Sequence, residues 1–242
     1  MLLAGIDLAW NPDKNTTAIS IGDCDGNIIS LSKIFPAVHG LDAIKSVLNS
    51  ESGLSGVAID ASLIVTNESG QRECERLIGE QYGSRGASCH STNTKRINEA
   101  SRMLSSYLSY KGFTHGRSDS SGKFQIECYP HPALIEIFEL NERLCYKKGS
   151  VQQKKDGQKD LARRLNLLQN SDVIKLDIRE NCSHYFNPTH IQSLAGHGLK
   201  VNEDVLDSVV CLYTCALYSM GLPCIFGSLS EGYIYVPQQK CV

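Results

Sequence analysis

Apolar runs over the first part of the chain predict β-strands. Residues 2–8 form a nearly continuous apolar strand, residues 16–21 a second strand and residues 27–31 a third. Asp25-Gly26, between the last two runs, is a dipeptide typical of tight hairpin turns. The three strands are therefore expected to form an antiparallel meander.

A helical pattern follows the third strand. Leu41, Ile44 and Leu48 recur at helical spacing, and Gly56 then precedes a short apolar strand over residues 57–59. Because a strand reached through a helix most simply runs parallel to the first strand, we expect these two strands to lie side by side.

Helical patterns dominate the rest of the chain. Apolar spacing predicts helices over residues 72–82, about 95–110, 132–140, from about 156, and about 203–220, with strands over 124–129 and 233–236. The last of these helices is apolar almost all round, which is typical of a helix packed in the protein interior.

This order of elements predicts the fold class. It indicates an α/β protein with a ribonuclease H-like five-stranded mixed sheet, in which an antiparallel meander joins parallel strands and helices flank the sheet. A length of 242 residues with 41% hydrophobic content is consistent with one domain. Within that domain we expect a helical insertion at about residues 71–120 and a basic segment at about 145–165.

Composition narrows the functional classes. A formal net charge of −2 gives no global attraction for nucleic acid, so such a partner needs a local basic patch or metal ions. Ten cysteines without a CxxC pair indicate free, buried thiols in a reducing cytosol rather than disulfides or a zinc site. No apolar run reaches membrane-spanning length and no signal sequence is recognisable, so we expect a cytoplasmic protein without a membrane partner.

Carboxylates end or interrupt the predicted core elements. Asp7 lies in the first strand, Asp60 ends the fourth, Glu127 follows a later apolar run, and Asp204 and Asp207 open the last helix. Burying an unpaired carboxylate costs several kcal/mol, and a divalent cation, Mg²⁺ or Mn²⁺, would offset that cost for all five. In the predicted topology the acids of the first and fourth strands are neighbours. The two helical acids are three residues apart and so share one helix face.

Three of the five acids also have a structural interpretation. Asp7 could accept hydrogen bonds from the turn that follows it, and Glu127 could pair with Lys123 or with a neighbouring arginine. Asp204 could complement the helix dipole in a first turn capped by Asn202.

Several other side chains have both a functional and a structural interpretation. Trp10 could stack on a base or pack in the core or at a rim, and His197 could assist proton transfer or lie in a surface loop. Arg72 could orient a phosphate or pair with a nearby glutamate, and His131 receives no role. The one strongly basic segment could grip nucleic acid or form a solvated helix face, and it contains Lys147, Lys148, Lys154, Lys155, Lys159, Arg163 and Arg164.

Ordered segments of the chain resemble a known family, domain of unknown function 429. The similar segments are GIDLAW (5–10), AIDASL (58–63), ECYPHPAL (127–134), the Tyr146-Lys147 pair, EDVLDSVVCLYTCAL (203–217) and GYIYVP (232–237). The resemblance implies a ribonuclease H-like fold and a nuclease role, with the family's acidic positions falling on Asp7, Asp60, Glu127 and Asp207. Ser208 departs from the alanine of many relatives, a change expected to be harmless. The acids are also similar in arrangement to those of Holliday-junction resolvases.

Three functional hypotheses follow. The first is a metal-dependent, nuclease-like phosphodiesterase acting on nucleic acid, with Asp7, Asp60 and Asp207 as primary Mg²⁺ or Mn²⁺ ligands and Glu127 and Asp204 as auxiliary ligands or bases. The second is a catalytically inactive ribonuclease H-like binding or regulatory protein. The third is a nucleotide phosphohydrolase, although no glycine-rich phosphate loop is found.

Overall fold

The computed structural model describes residues 1–97, 99–116, 122–221 and 224–238. In this part of the chain the strands are β1 (Leu2–Asp7), β2 (Thr17–Asp25), β3 (Ile28–Val38), β4 (Leu54–Asp60), β5 (Thr114–His115), β6 (Phe124–Glu127), β7 (Lys175–Ile178), β8 (Ile225–Ser228) and β9 (Gly232–Tyr235). The α-helices are α1 (Leu41–Ser50), α2 (Glu73–Tyr82), α3 (Glu99–Tyr110), α4 (Pro130–Ile137), α5 (Val151–Leu167), α6 (Pro188–Ser193) and α7 (Gly196–Ser219). Short 3₁₀ turns cover Gly83–Arg85, Leu168–Asn170 and Glu180–Phe186.

The main sheet is mixed, with the strand order β5-β6-β4-β1-β2-β3-β7. β1, β2 and β3 form the predicted antiparallel meander, and β4 runs parallel to β1, as expected from the helix that joins them. The prediction of five strands is wrong, because the described part of the sheet has seven. The edge strands β5 and β7 have two and four residues, too few to leave a periodic pattern in the sequence. β8 and β9 form a separate two-stranded sheet.

Several helices begin earlier than predicted. α5 starts at Val151, because the Ser150 hydroxyl accepts a hydrogen bond from the Gln153 amide and the Gln153 side chain accepts one from the Ser150 amide. α7 starts at Gly196 rather than near residue 203. The prediction missed its first two turns because they consist largely of glycine and polar residues without an apolar pattern. The expected insertion contains α2, α3 and β5, while residues 98 and 117–120 lie outside the described part.

Helices cover both faces of the sheet. α7 crosses β1, β2, β3 and β4 on one face and is buried along most of its length, as predicted. On the opposite face, α1 and α3 pack against the side chains of Ala4, Ile6, Val57 and Ile59. Side chains alternate along a strand, so Asp7 and Asp60 at the ends of β1 and β4 point towards the face that α7 covers. Among the described residues, no helix combines the length and the apolarity needed to span a membrane.

The described cysteines are all free. Burial is confirmed for Cys74, Cys128, Cys182, Cys211 and Cys215, whereas Cys145 is exposed and Cys24, Cys89 and Cys224 are partly exposed. Cys241 lies outside the described residues. The prediction of free thiols therefore holds in this part of the chain, and the prediction that they are buried holds for about half of them.

Gly5 lets the backbones of β1 and α7 come into direct contact. A Cβ at this position would lie 2.1 Å from the Leu212 amide nitrogen and 2.2 Å from the Ser208 carbonyl oxygen. The Ser208 hydroxyl lies 2.6 Å from the Ser20 hydroxyl, so the serine makes a hydrogen bond between α7 and β2 where an alanine could not. This close approach fixes the position of α7 beside the end of β1.

We expect Gly5→Ala to destabilise the fold severely, because neither the strand nor the helix backbone can move away from the added methyl group. The free energy of unfolding should fall by more than about 3 kcal/mol, the upper range for overpacking. Gly79→Ala is the matched control, since Gly79 lies in α2 with nothing within 4 Å of an added Cβ. It should stabilise by up to about 1 kcal/mol through helix propensity. Urea unfolding followed by circular dichroism measures both, and equal effects would contradict the role assigned to Gly5.

Candidate functional site

Two aspartates lie side by side at the ends of the central strands. Asp7 is paired in register with Asp60 across the parallel β1–β4 ladder, where neighbouring strands are about 4.8 Å apart. Both side chains are half-buried and point to the side of the sheet that carries α7. Two carboxylates at this separation repel each other unless a proton or a cation lies between them.

α7 adds a third aspartate that is fully buried. The Asp207 carboxylate accepts a 2.6 Å hydrogen bond from the Tyr146 hydroxyl, and the Lys147 ammonium lies 2.7 Å from its other oxygen. A Cβ on Gly157 would lie 2.1 Å from the Cys145 carbonyl oxygen, so the α5 backbone presses directly on the segment that carries Tyr146 and Lys147. Packing of α5 against this segment thus holds both donors against Asp207.

A fourth aspartate, Asp204, is bound by a lysine one helical turn earlier. Lys200 forms ion pairs with Asp204 and, at 2.9 Å, with Glu203. The interpretation of Asp204 as a first-turn acid is wrong, because α7 begins at Gly196 and the dipole effect fades within one turn. Asn202 is accordingly no cap but lies inside the helix, where it donates to Gln158.

Asp7, Asp60, Asp204 and Asp207 form one electrostatic cluster, here called the aspartate cluster. Burial, followed by the charges of the other three members, raises the pKa of Asp7 well above its ordinary value, although Lys147 opposes the shift. Burial also raises the pKa of Asp60 to about 7, against the attraction of Lys147. Asp7 and Asp204 are close enough to share a hydrogen bond. The sequence-predicted aspartates therefore converge, and neighbouring carboxylates contribute to the raised pKa values of Asp7, Asp60 and Asp204.

Lys147 takes its character from the same cluster. Burial disfavours its charged form, but Asp207, Tyr146, Asp7 and Asp60 together raise the pKa of its ammonium group well above the ordinary value. The lysine therefore remains charged and acts as the internal cation of the cluster.

Glu127 belongs to a separate ion pair beside the cluster. Its two oxygens accept hydrogen bonds of 2.6 and 2.9 Å from the Arg72 guanidinium and one of 2.9 Å from the Leu63 amide. Arg72 is 3% exposed and also donates to Glu75 through its side chain and its backbone amide. Of its two expected partners, Glu127 thus pairs with an arginine and not with Lys123. Arg72 pairs with the nearby Glu75, as expected, and also with the distant Glu127.

The aspartate cluster offers the oxygen ligands that a hard cation prefers. In the described part of the chain, however, no three His, Cys, Asp or Glu side chains are arranged as a ready coordination group. Lys147 and Lys200 instead contribute two positive charges. Four carboxylates face two lysines, so at least two of the carboxylates must keep a proton or take up another cation. The donor chemistry therefore fits Mg²⁺ or Mn²⁺, provided that the side chains rearrange around the ion.

Two clefts open onto these acids. A cleft of about 200 Å³ is lined by Asp60, Arg72 and Glu127, and a second of about 430 Å³ is lined by Asp7 and Asp204. Trp10 lines both clefts and is 65% exposed, so it is a rim residue rather than a core residue. His197 lines the second cleft and is exposed there.

Most of the basic segment is engaged with its own helix or with α6. Lys155 donates to the Gln192 carbonyl, Lys159 pairs with Asp156 at 3.2 Å, and Arg163 and Arg164 pair with Asp160 at 2.6 and 3.0 Å. These contacts agree with the interpretation as a helix face. A role of the segment in nucleic-acid binding, including Lys148 and Lys154, stays a prediction.

The site also contains residues that sequence reasoning did not assign. Tyr146 and Lys200 are direct partners of the aspartates, and only Lys200 left a signal, through its spacing of four residues from Asp204. His131 is buried in the first turn of α4 with its ring 5.4 Å from that of Tyr146, and burial followed by Lys147 lowers its pKa to about 4. It is therefore a neutral packing partner of Tyr146 at ordinary pH.

Comparison with known proteins identifies a family match over most of the chain. The sequence model described as Protein of unknown function (DUF429) matches residues 5–228. No curated protein and no solved structure matches the chain. The matched range contains the aspartate cluster, both lysines and the Arg72–Glu127 pair.

Removing Arg72 should destabilise the protein strongly, because two buried carboxylates then lose their cation. We expect Arg72→Met to lower the free energy of unfolding by about 3–5 kcal/mol. Arg76→Met is the matched control, since Arg76 pairs with Glu73 and Glu80 on the exposed face of α2 and should have little effect. Urea denaturation measures both variants. Equal small losses would show that the buried network adds little stability.

Stability in EDTA should fall as the pH rises. The folded-state pKa of Asp60, about 7, lies above the ordinary value of 3.8, so the folded protein binds this proton more tightly than the unfolded chain. The free energy of unfolding therefore decreases between about pH 4 and pH 7. Asp60→Asn, which cannot ionise, should flatten this slope in urea titrations, whereas Asp177→Asn on the exposed edge strand β7 should leave it unchanged. An unaltered slope in Asp60→Asn would contradict the shifted pKa.

Proposed function

The chain belongs to the DUF429 family, whose function is unknown, and from its site we propose that it is a metal-dependent nuclease. In this proposal the protein hydrolyses phosphodiester bonds of nucleic acid with Mg²⁺ or Mn²⁺. The observation that carries it is the convergence of aspartates from β1, β4 and α7 on one point, where four carboxyl groups face only two lysines. If the aspartates had only a structural role, replacing some of them by neutral residues would make the protein more stable, because their mutual repulsion would decrease.

The strand arrangement supports a ribonuclease H-like fold as part of the same proposal. The meander β1–β3 is followed by α1 and by β4, which pairs parallel to β1, and β6 continues the sheet in the same direction. This arrangement places Asp7 and Asp60 at the centre of the sheet, where the proposed fold requires the primary acids.

In the proposed site Asp7, Asp60 and Asp207 hold the cation, with Asp204 as an auxiliary ligand. A bound divalent ion would polarise the phosphate and lower the pKa of a water molecule. Tyr146 orients Asp207 through its 2.6 Å hydrogen bond. Lys147, 2.7 Å from Asp207, carries a positive charge that would attract the phosphate group of a substrate. Glu127, held by Arg72, positions the end of β6 beside Asp60 rather than offering free oxygens.

One observation favours a second candidate, an inactive binding or regulatory protein. Asp207 and Asp204 already have lysine partners, and no preformed metal group exists among the described side chains. In that case the lysines and shared protons would be the permanent partners of the acids.

Cleavage assays distinguish the two candidates. Purified protein with Mn²⁺ should cleave at least one member of a panel of single-stranded, double-stranded, branched and RNA–DNA hybrid substrates. Asp7→Asn should lower the rate by about 100-fold or more, because a ligand and a negative charge are lost. Asp177→Asn, which removes an exposed carboxylate bonded to Ser30, is the matched control and should cleave like the wild type. No cleavage, together with no Mn²⁺ binding by calorimetry, would favour the inactive protein.

A further inference from the structure

Trp10 occupies an unusual position for the only tryptophan of the chain. It lies three residues after Asp7, is 65% exposed, and lines three clefts. One cleft contains Asp60 and another contains Asp7 and Asp204, while the third is lined in part by Leu41 and Met103. A large aromatic side chain with this much exposed surface gains little from burial in the folded protein. Most of its surface is instead available to a ligand beside the aspartate cluster.

The loop that carries Trp10 is held in place by its own backbone. The Ala9 amide donates a 3.1 Å hydrogen bond to the Thr17 hydroxyl, and the Gly40 amide donates one of 2.9 Å to the Pro12 carbonyl. The Asn11 carbonyl accepts bonds from the two amides at the end of its turn, at 3.0 and 2.9 Å. The indole is therefore presented on a fixed loop, so that stacking on it requires little additional ordering.

A lysine and two histidines line one of the clefts beside Trp10. Lys14, His39 and His197 are exposed there, on the same cleft as Asp7 and Asp204. Lys200 also lines it but is already paired with Glu203 and Asp204. A cleft that combines an aromatic side chain with a lysine and two histidines matches a nucleotide unit, whose base stacks and whose phosphate accepts hydrogen bonds.

We propose that Trp10 stacks on an unpaired nucleobase while Lys14, His39 and His197 bind the adjoining phosphate. This inference rests on the proposed nuclease function and names its substrate class, which is single-stranded or locally unpaired nucleic acid. Within a continuous duplex each base face is covered by the next base pair, so a tryptophan can stack only on a base that is unpaired or extruded.

The fluorescence of the single tryptophan reports directly on this contact. Titration with a short single-stranded oligonucleotide in EDTA, where metal-dependent cleavage cannot occur, should quench the Trp10 emission in a saturable manner. The same sequence as a blunt duplex should bind more weakly. No change in emission at concentrations where labelled oligonucleotide binds would overturn the stacking contact. Equal quenching by a nucleoside monophosphate and by the oligonucleotide would overturn the assignment to a polymer in favour of a free nucleotide.

Variants separate stacking from charge. Trp10→Ala should weaken single-strand binding by about tenfold or more, measured by anisotropy of a labelled oligonucleotide, and Trp10→Phe should retain most of the affinity. Tyr110→Ala is the matched control, because Tyr110 is 86% exposed and lines none of the three clefts. Unchanged affinity in Trp10→Ala would contradict the proposal.

Lys14→Ala tests the phosphate contact. It should lower the slope of log affinity against log salt by about one, the effect of one lost phosphate contact, whereas Lys175→Ala on the edge strand β7 should not. An unchanged slope in Lys14→Ala would show that Lys14 does not contact the phosphate.

The outcomes keep the two proposals apart. Binding that depends on Trp10, without cleavage under any metal condition, supports the nucleotide subsite and overturns the nuclease function. Mn²⁺-dependent cleavage, with both binding and rate unaffected in Trp10→Ala, overturns the subsite and leaves the nuclease function intact. Thermal unfolding of each variant confirms that the exposed substitutions preserve the fold.

Discussion

The direct backbone contact between β1 and α7 at Gly5 is the constraint on which the site depends. Only a residue without a side chain allows the helix to lie against the strand, and any added Cβ would meet backbone atoms at 2.1 and 2.2 Å. The contact brings acids from the helix to the ends of β1 and β4. Gly157 allows a second close backbone contact, between α5 and the segment that contains Tyr146 and Lys147. The two glycines thus determine the distances between charged groups far apart in the sequence.

The packing places several carboxylates close together in the interior, and the protein stabilises them in two different ways. The Arg72–Glu127 pair is closed, with a bidentate geometry and further hydrogen bonds, and so gains rigidity at the end of β6. The aspartate cluster remains open: burial and mutual repulsion raise the pKa values of Asp7 and Asp60, and two lysines offset only part of the charge. An ion pair whose hydrogen-bonding groups are all satisfied within the protein is typical of a structural role. An excess of carboxylates over cationic partners, beside a cleft, is typical of a site that takes up a cation.

The sequence predicted those parts of the fold that depend on local pattern. The meander, the parallel pairing of β1 with β4 and the interior position of α7 followed from periodicity, and the convergence of Asp7 and Asp60 followed from that pairing. The two-residue strand β5 and the polar first turns of α7 left no such pattern. Apart from Lys200, the specific partners of the acids could not be identified from local spacing, because Lys147 and Arg72 reach Asp207 and Glu127 across 60 and 55 positions. Spacing along the sequence cannot identify an ion-pair partner that lies in a distant segment of the chain.

In the proposed function the aspartate cluster is a cation site in which lysines and protons take the place of the metal until it binds. Anomalous diffraction from a crystal soaked in Mn²⁺ tests this most directly, because it locates the ion without reference to activity. We expect an anomalous peak between the carboxylates of Asp7 and Asp60, with Asp207 contributing a further oxygen and Lys147 moved away from its present contact. Absence of a peak there at saturating Mn²⁺, with Lys147 still bound to Asp207, would contradict it.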